Sequence, residues 1–215
     1  MVTAIGNKPV YRMSSAGGCP RALSAERLSY PSEPAPDWLE RAANEGKLHE
    51  EWIKGQLAIE GYRVFDEQLE LTLEYPTFML VGHIDGKVEK NGSVRLLEVK
   101  SMSQFEFDRW MKDGFNGFQS YAAQITCYME GTKLEEFLYL CKNRSSGYID
   151  RNIVVGTPML IEEIIKKLER VEECVAIGTL VDTEYDANSL QCRRCDYKSL
   201  CVPEPKTFNT VPEKL

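Results

Sequence analysis

The stretch FMLVGHIDGKVEKNGSVRLLEVKSM, residues 78–102, contains two strand-like runs separated by Asn91-Gly92. Asn-Gly supplies the two positive-φ positions of a type I′ turn, whose twist matches that of antiparallel strands, so the stretch reads as a β-hairpin. Side chains on a strand alternate between faces, so Glu98 and Lys100 share one face while Leu97 and Val99 take the other. A hairpin closed at Asn91-Gly92 also brings Asp85, on the first strand, near Glu98. This constrains the rest of the chain, because the hairpin needs a sheet to join and layers to cover both faces.

The flanking segments supply them. YRVFDEQLELTLEY, residues 62–75, alternates with period two and reads as one further strand. KLEEFLYLCKN and GYIDRNIVV read as another strand pair. Helices are expected from Pro20 to about Tyr30, from an Asp37 N-cap to Gly61, over 103–113 and 118–130, and over PMLIEEIIKKLERVEECVAIG. On the helix after Asp37 the apolar face is read as Leu39, Ala42, Leu48, Trp52 and Ile59. Residues 1–18 read as irregular. Strands flanked by helices predict an α/β chain with a central mixed sheet. The expected divisions are 1–36 as an N-terminal segment, 37–185 as the core, and 186–215 as a small cysteine-containing module and tail. The 215 residues include 43% hydrophobic ones, enough for a real core. No run of about 18 apolar residues is present, so no membrane partner is expected. MVTAIGNKPVYRM has no apolar signal region, and the odd cysteine count argues against a disulfide framework, so an intracellular, cytoplasmic location is expected. The net charge of −7 argues against a surface coated in phosphate contacts, although carboxylates gathered to hold a metal would add to it.

Two carboxylates and an ammonium at adjacent strand ends suit a hard divalent cation and a neighbouring water; the plain alternative is a salt bridge on a solvated sheet face. Spacing alone does not decide, because acid-x-Lys also occurs at Glu45/Lys47, Asp85/Lys87, Asp196/Lys198 and Glu204/Lys206. The surroundings add Gly46-x-x-His49, Gly82-x-x-Asp85 and Gln124-x-x-x-Tyr128, arranged in that order around Glu98-x-Lys100. This set resembles the PD-(D/E)xK nuclease superfamily, with its restriction-endonuclease-like fold, and within it the RecB-type nuclease domain. The resemblance implies that Asp85, Glu98 and the Val99 carbonyl hold Mn²⁺ or Mg²⁺, with His49 as a nitrogen ligand. It also implies that Lys100 orients or helps deprotonate the attacking water, and that Gln124 and Tyr128 contact the DNA or Lys100. His83, two residues before Asp85 on the same strand face, is a rival ligand.

Cys192-x2-Cys195-x5-Cys201 crowds three thiols into ten residues, a spacing associated with metal chelation. The plain alternative is three unrelated cysteines in a tail. Cys127, Cys141 and Cys174 fall in helix or strand patterns and read as small buried hydrophobes. Cys19 lies in the loop GGCPRAL. A lone N-terminal cysteine combined with C-x2-C-x5-C resembles the iron–sulfur members of this nuclease group, the CRISPR-associated single-strand exonucleases and the AddB nuclease domain. That resemblance implies a 4Fe–4S cluster on Cys19, Cys192, Cys195 and Cys201, closing the C-terminal module onto the N-terminus, with zinc as the alternative occupant. Taken together, the expectation is a metal-dependent deoxyribonuclease stabilised by the cluster and acting as an exonuclease on single-stranded DNA or DNA ends. Partner proteins of DNA processing or spacer acquisition, and an oligomer, are compatible with it. The competing expectations are a non-catalytic DNA-end binding subunit of the same fold and a zinc-stapled endonuclease. Arg12, Arg21, Arg193, Arg194 and Lys198 are expected either to line a strand-binding groove or to sit on ordinary solvated loops, and FEFDRW and FNGF either to stack bases or to pack.

Overall fold

The computed structural model describes residues 4–5, 8–186 and 188–201. In chain order the elements are β1 (Ala4–Ile5), β2 (Lys8–Arg12), a 3-10 turn (Met13–Ser15), α1 (Pro20–Arg27), α2 (Asp37–Ile59), β3 (Arg63–Phe65), β4 (Glu70–Glu74), β5 (Met79–His83), β6 (Gly86–Lys90) and β7 (Ser93–Met102). There follow α3 (Gln104–Gly117), α4 (Gln119–Thr132), β8 (Glu136–Asn143), β9 (Ile149–Val155), α5 (Ile161–Ala176), α6 (Leu190–Arg193) and a second 3-10 turn (Lys198–Leu200). The proline-containing tail after Cys201 lies outside the described residues. No helix among them is long and apolar enough to cross a membrane.

The fold is α/β, as expected, but the strands form two sheets. One has the order β1-β2-β5-β4 and the other β3-β6-β7-β8-β9. Both are mixed: β2 runs parallel to β5 and β7 parallel to β8, while the remaining pairs are antiparallel. The β6–β7 hairpin turns at Asn91 and Gly92, at φ of 54° and 79°, as the sequence predicts.

Two expected strands are each broken in two. The run 62–75 divides into β3 and β4 at Asp66 and Gln68, which adopt φ of 50° and 53°. The run 78–90 divides at Ile84 and Asp85, with β5 in one sheet and β6 in the other. Alternation continues across both breaks, so periodicity alone does not reveal them. Residues 1–18 also contain a strand that the sequence reading missed. Val10 and Tyr11 of β2 are buried in succession, so the alternation that marks a half-buried strand is absent.

Side-chain alternation along β7 and β8 divides the interior. Leu96, Phe137, Tyr139 and Cys141 join Trp110, Tyr128, Ile164 and Leu168 in the larger core, on the side of α3, α4 and α5. Leu97, Val99, Leu138 and Leu140 pack with Ile53 and Leu57 of α2 on the other side. With both faces covered, β8 is buried along nearly its whole length. The face read for α2 needs correction. Leu48, Trp52 and Ile59 are 66%, 49% and 80% exposed, and Ile53 and Leu57, one turn apart, make the contact with the sheet. Pro36 occupies the N-cap position and Asp37 is the first helical residue, where its charge complements the positive helix end.

Candidate active site

The step between the two sheets places Asp85. Gly86 stands opposite Leu97, so Asp85 comes beside Glu98 of β7. One carboxylate oxygen of Asp85 accepts a 2.8 Å hydrogen bond from the Val99 amide. Glu98 is 1% exposed. Lys100, on the same strand face, pairs with Oε1 of Glu98 and donates to Oε1 of Gln124 at 3.1 Å. Gln124 Nε2 donates to the Tyr128 hydroxyl at 2.7 Å, and that hydroxyl donates to the His83 carbonyl at 2.7 Å. A continuous chain of hydrogen bonds thus runs from the lysine through α4 to the last residue of β5.

Close packing explains two of the motif positions. A Cβ added at Gly82 would lie 2.8 Å from a ring carbon of Tyr128 and 2.9 Å from the Met13 sulfur. Glycine at 82 lets the tyrosine ring lie against the β5 backbone and reach the carbonyl beside it.

The electrostatics are those of a site with too much negative charge. Burial, then the neighbouring Glu98, pushes the Asp85 carboxyl well above the usual aspartate range, with Lys100 opposing. Burial also raises Glu98, again against the pull of Lys100. Burial works against the Lys100 ammonium, but Glu98 and Asp85 outweigh it and hold its pKa above the ordinary lysine value. Lys100 therefore remains an ammonium at neutral pH. Glu98 Oε2 is buried with no hydrogen-bond partner. An orphaned carboxylate oxygen beside a second carboxylate fits a hard divalent cation, which would supply the missing positive charge.

The other site residues are distributed around this centre. His49, on α2, shares a 2.7 Å hydrogen bond between its Nδ1 and the Ser101 hydroxyl. Its pKa is lowered by burial and then by the positive charge of Lys142. His83 is exposed, with Nε2 3.3 Å from Glu70. Among the described residues no three His, Cys, Asp or Glu side chains form a group that could hold a metal ion, so neither histidine is gathered with Asp85 and Glu98 into a ready three-ligand set.

Two neighbours escaped the sequence reading. Lys100 Nζ lies 5.0 Å from the centre of the Tyr121 ring. Tyr121, Gln124 and Tyr128 follow the three- and four-residue steps of one helix face, and that spacing was the available signal. Glu50 adds its negative charge to both Asp85 and Glu98 and is held by Lys54 at 2.6 Å and Gln68 at 3.1 Å. Adjacency to His49 was its only signal.

A family model described as the PD-(D/E)XK nuclease superfamily matches residues 15–202. The chain belongs to that superfamily. Membership supports a hydrolytic nuclease activity. Among solved structures, SSO0001 is 12% identical with a TM-score of 0.59, over 94% of this chain and 89% of its own. The alkaline exonuclease LHK-Exo of Laribacter hongkongensis is 17% identical with a TM-score of 0.54, over 78% and 88%. Its complex with dAMP gives 17% and 0.53, over 77% and 89%. At these identities the likeness is one of fold. No curated protein matches the chain.

The iron–sulfur expectation is overturned. Cys19, Cys192, Cys195 and Cys201 are free thiols lining one cavity of about 30 Å³, shared with Arg21 and Tyr185. They do not form a group that could hold a metal ion, so the 4Fe–4S cluster and its zinc alternative are both withdrawn. Cysteine spacing in a sequence reports which thiols are neighbours along the chain, and it is silent on whether their sulfur atoms converge. Burial raises the Cys19 and Cys195 thiols, which favours their neutral form. The chain ends are joined by ordinary polar contacts. Arg21 donates to the Val181 carbonyl at 2.9 Å, the Val181 amide donates to Ser24 at 3.1 Å, the Glu33 amide donates to the Asp196 carbonyl at 2.7 Å, and Lys198 pairs with Glu33 at 2.6 Å. Several expected groove cations are occupied in this way, and Arg194 pairs with Glu106 at 2.9 Å. The aromatic segments mostly pack: Phe107, Trp110 and Phe118 are buried, and Phe105 is exposed.

Proposed function

We propose that this protein is a divalent-metal-dependent deoxyribonuclease that hydrolyses phosphodiester bonds from DNA ends, as an exonuclease acting on single strands. The observation that carries the reading is the buried, unpartnered Glu98 Oε2 beside Asp85, with the Lys100 ammonium in the same cluster. Asp85, Glu98 and the Val99 carbonyl are the groups that would hold Mg²⁺ or Mn²⁺. When bound, the ion supplies Lewis-acid activation of water and charge neutralisation at the scissile phosphate.

The remaining steps belong to the side chains. Lys100 enters as an ammonium and so acts as a donor: it orients the attacking water and stabilises the charge that grows on the phosphate oxygens. Gln124 fixes the ammonium by accepting a hydrogen bond from it, and Tyr128 fixes Gln124 by accepting from its amide. Water adds to phosphorus and releases a proton to solvent, the bond to the leaving sugar oxygen breaks, and that oxygen takes up a proton from solvent. The exonuclease mode in this reading is supported by fold likeness to a protein described as an alkaline exonuclease.

The test is cleavage of end-labelled single strands and of closed circular DNA, with Mn²⁺ or Mg²⁺ and with chelator. Ladders from the end-labelled strands, intact circles and complete loss in Lys100→Ala are expected. Nicked circles would refute end dependence. Undiminished cleavage by Lys100→Ala would refute the site.

A further inference from the structure

An ammonium carries three protons, and the polar partners of Lys100 account for two of them. One is directed at Glu98 Oε1 and one at Gln124 Oε1. No other described group accepts a hydrogen bond from this lysine. Its remaining neighbour is aromatic: Nζ lies over the Tyr121 ring, 5.0 Å from the centre. That distance is within the roughly 6 Å reach of a cation–π attraction and beyond hydrogen-bonding range.

The ring is held by the junction of α3 and α4. Tyr121 precedes Gln124 by three positions, so the two share a face of α4. It is half-buried and packs at the edge of the larger core. Phe118, between the two helices, is buried and stacks on Tyr121, with ring centres 5.1 Å apart and planes at 9°. The Arg109 guanidinium in turn lies 4.6 Å from the centre of the Phe118 ring and donates to the Gly117 carbonyl. The Tyr121 hydroxyl has no partner among the described residues, and it is not one of the buried unpartnered atoms, so it reaches solvent. The ring face, and not the polar tip, is the part engaged at the centre.

A ring suits this position for a chemical reason. A carboxylate or amide in its place would accept the third proton of Lys100. The negative face of an aromatic ring attracts the charge as a whole and leaves that proton free. We infer that Tyr121 is a positioning residue whose ring face holds the Lys100 ammonium in place, so that its third N–H is left for the attacking water and the phosphate. This rests on the nuclease reading and deepens it by naming what aims the lysine.

The test places phenylalanine and then mono-, di- and trifluorinated phenylalanines at position 121. Fluorine withdraws negative charge from the ring face and barely alters its shape, so a purely structural role would not respond to it. Tyr121→Phe should cleave end-labelled single strands at about the wild-type single-turnover rate. Each added fluorine should then lower the logarithm of that rate, and Tyr121→Leu should be slower by roughly three- to thirtyfold. Binding of labelled single strands in chelator should stay unchanged throughout. Urea unfolding should follow the same fluorine order, and the order should vanish in a Lys100→Met background. The fluorinated series also decides the matter if Tyr121→Leu does not fold. A series that is flat in rate or in stability, or a folded Tyr121→Leu with the wild-type rate, overturns the inference. A wild type without metal-dependent cleavage would refute the nuclease reading instead. The unfolding series would then stand alone: a fluorine dependence lost with Lys100 upholds the ring–lysine contact, and a flat line overturns it.

Discussion

The carboxylate–lysine centre and the cysteine-lined cavity both bring together residues far apart in sequence, and they do so in opposite electrostatic regimes. At the centre, strand register forces Asp85 against Glu98, and burial leaves an oxygen of Glu98 with nothing to bind. At the cavity, four thiols line a small space, burial favours the neutral form of Cys19 and Cys195, and the segments around them are tied by hydrogen bonds and an ion pair, with one nitrogen of Arg21 left unpartnered. At the centre the unpartnered atom belongs to one of two adjacent carboxylates and calls for a cation, whereas the Arg21 guanidinium at the cavity is held through its other nitrogens by the Val181 and Leu200 carbonyls. Four thiols around one cavity are therefore weaker evidence of chemistry than two carboxylates in register.

The sharpest way to break this contrast is at the lysine. Lys100→Ala and Glu98→Gln should each lower metal-dependent cleavage by roughly a hundredfold or more, measured as single-turnover rates on end-labelled DNA. The next largest effect should come from the support behind it. Gly82→Ala drives a methyl into the Tyr128 ring, and overpacking of this kind costs roughly 1–3 kcal/mol. Urea unfolding should show that loss, accompanied by slower cleavage as the Tyr128–Gln124–Lys100 chain shifts.

A smaller effect sharpens the electrostatic half of the comparison. Asp85 carries a pKa raised in the folded state, so ionising it opposes folding, and the stability of its protonated form is lost as pH rises from the ordinary carboxylate range through the folded value. In chelator, Asp85→Asn should then melt above the wild type at neutral pH, by roughly 2–4 °C for each kcal/mol of relief. The advantage should disappear as pH falls below the ordinary aspartate value and the wild-type carboxyl is protonated. A variant that melts lower at pH 7 would mean that the Asp85 charge is already balanced. The smallest effect belongs to the cavity. Cys192→Ala, at a half-buried thiol, should leave cleavage unchanged and shift stability by less than about 1 kcal/mol. A loss rivalling that of Lys100→Ala would place the two regions on an equal footing.

Much of the centre was legible in the sequence because it depends on local rules. Asn91-Gly92 sets the turn, alternation sets the faces, and the two together place Asp85 beside Glu98. The helical step from Gln124 to Tyr128 is equally local. What was not legible depends on tertiary context. Val10 and Tyr11 lie in a strand covered on both faces, so no alternation marks it. Leu48 and Trp52 have the spacing of a buried face, yet Ile53 and Leu57 take that role because they meet Leu97, Val99 and Leu138. The cysteines show the same limit in a different form, since ligand geometry belongs to side chains whose directions a spacing does not carry.

Ile84 and Asp85 alone separate β5 from β6, although those strands belong to different sheets. The step therefore has a fixed length as well as a fixed sequence. Adding or deleting one residue there would leave every other strand pair able to form, but it would shift either Asp85 away from the Val99 amide or Gly82 away from Tyr128. The β8–β9 connection around Gly147, by contrast, is bounded by two strands of a single sheet and carries no residue of the centre. Among descendants of this chain, insertions should accumulate at the second turn and be purged from the first, whatever substitutions either one tolerates.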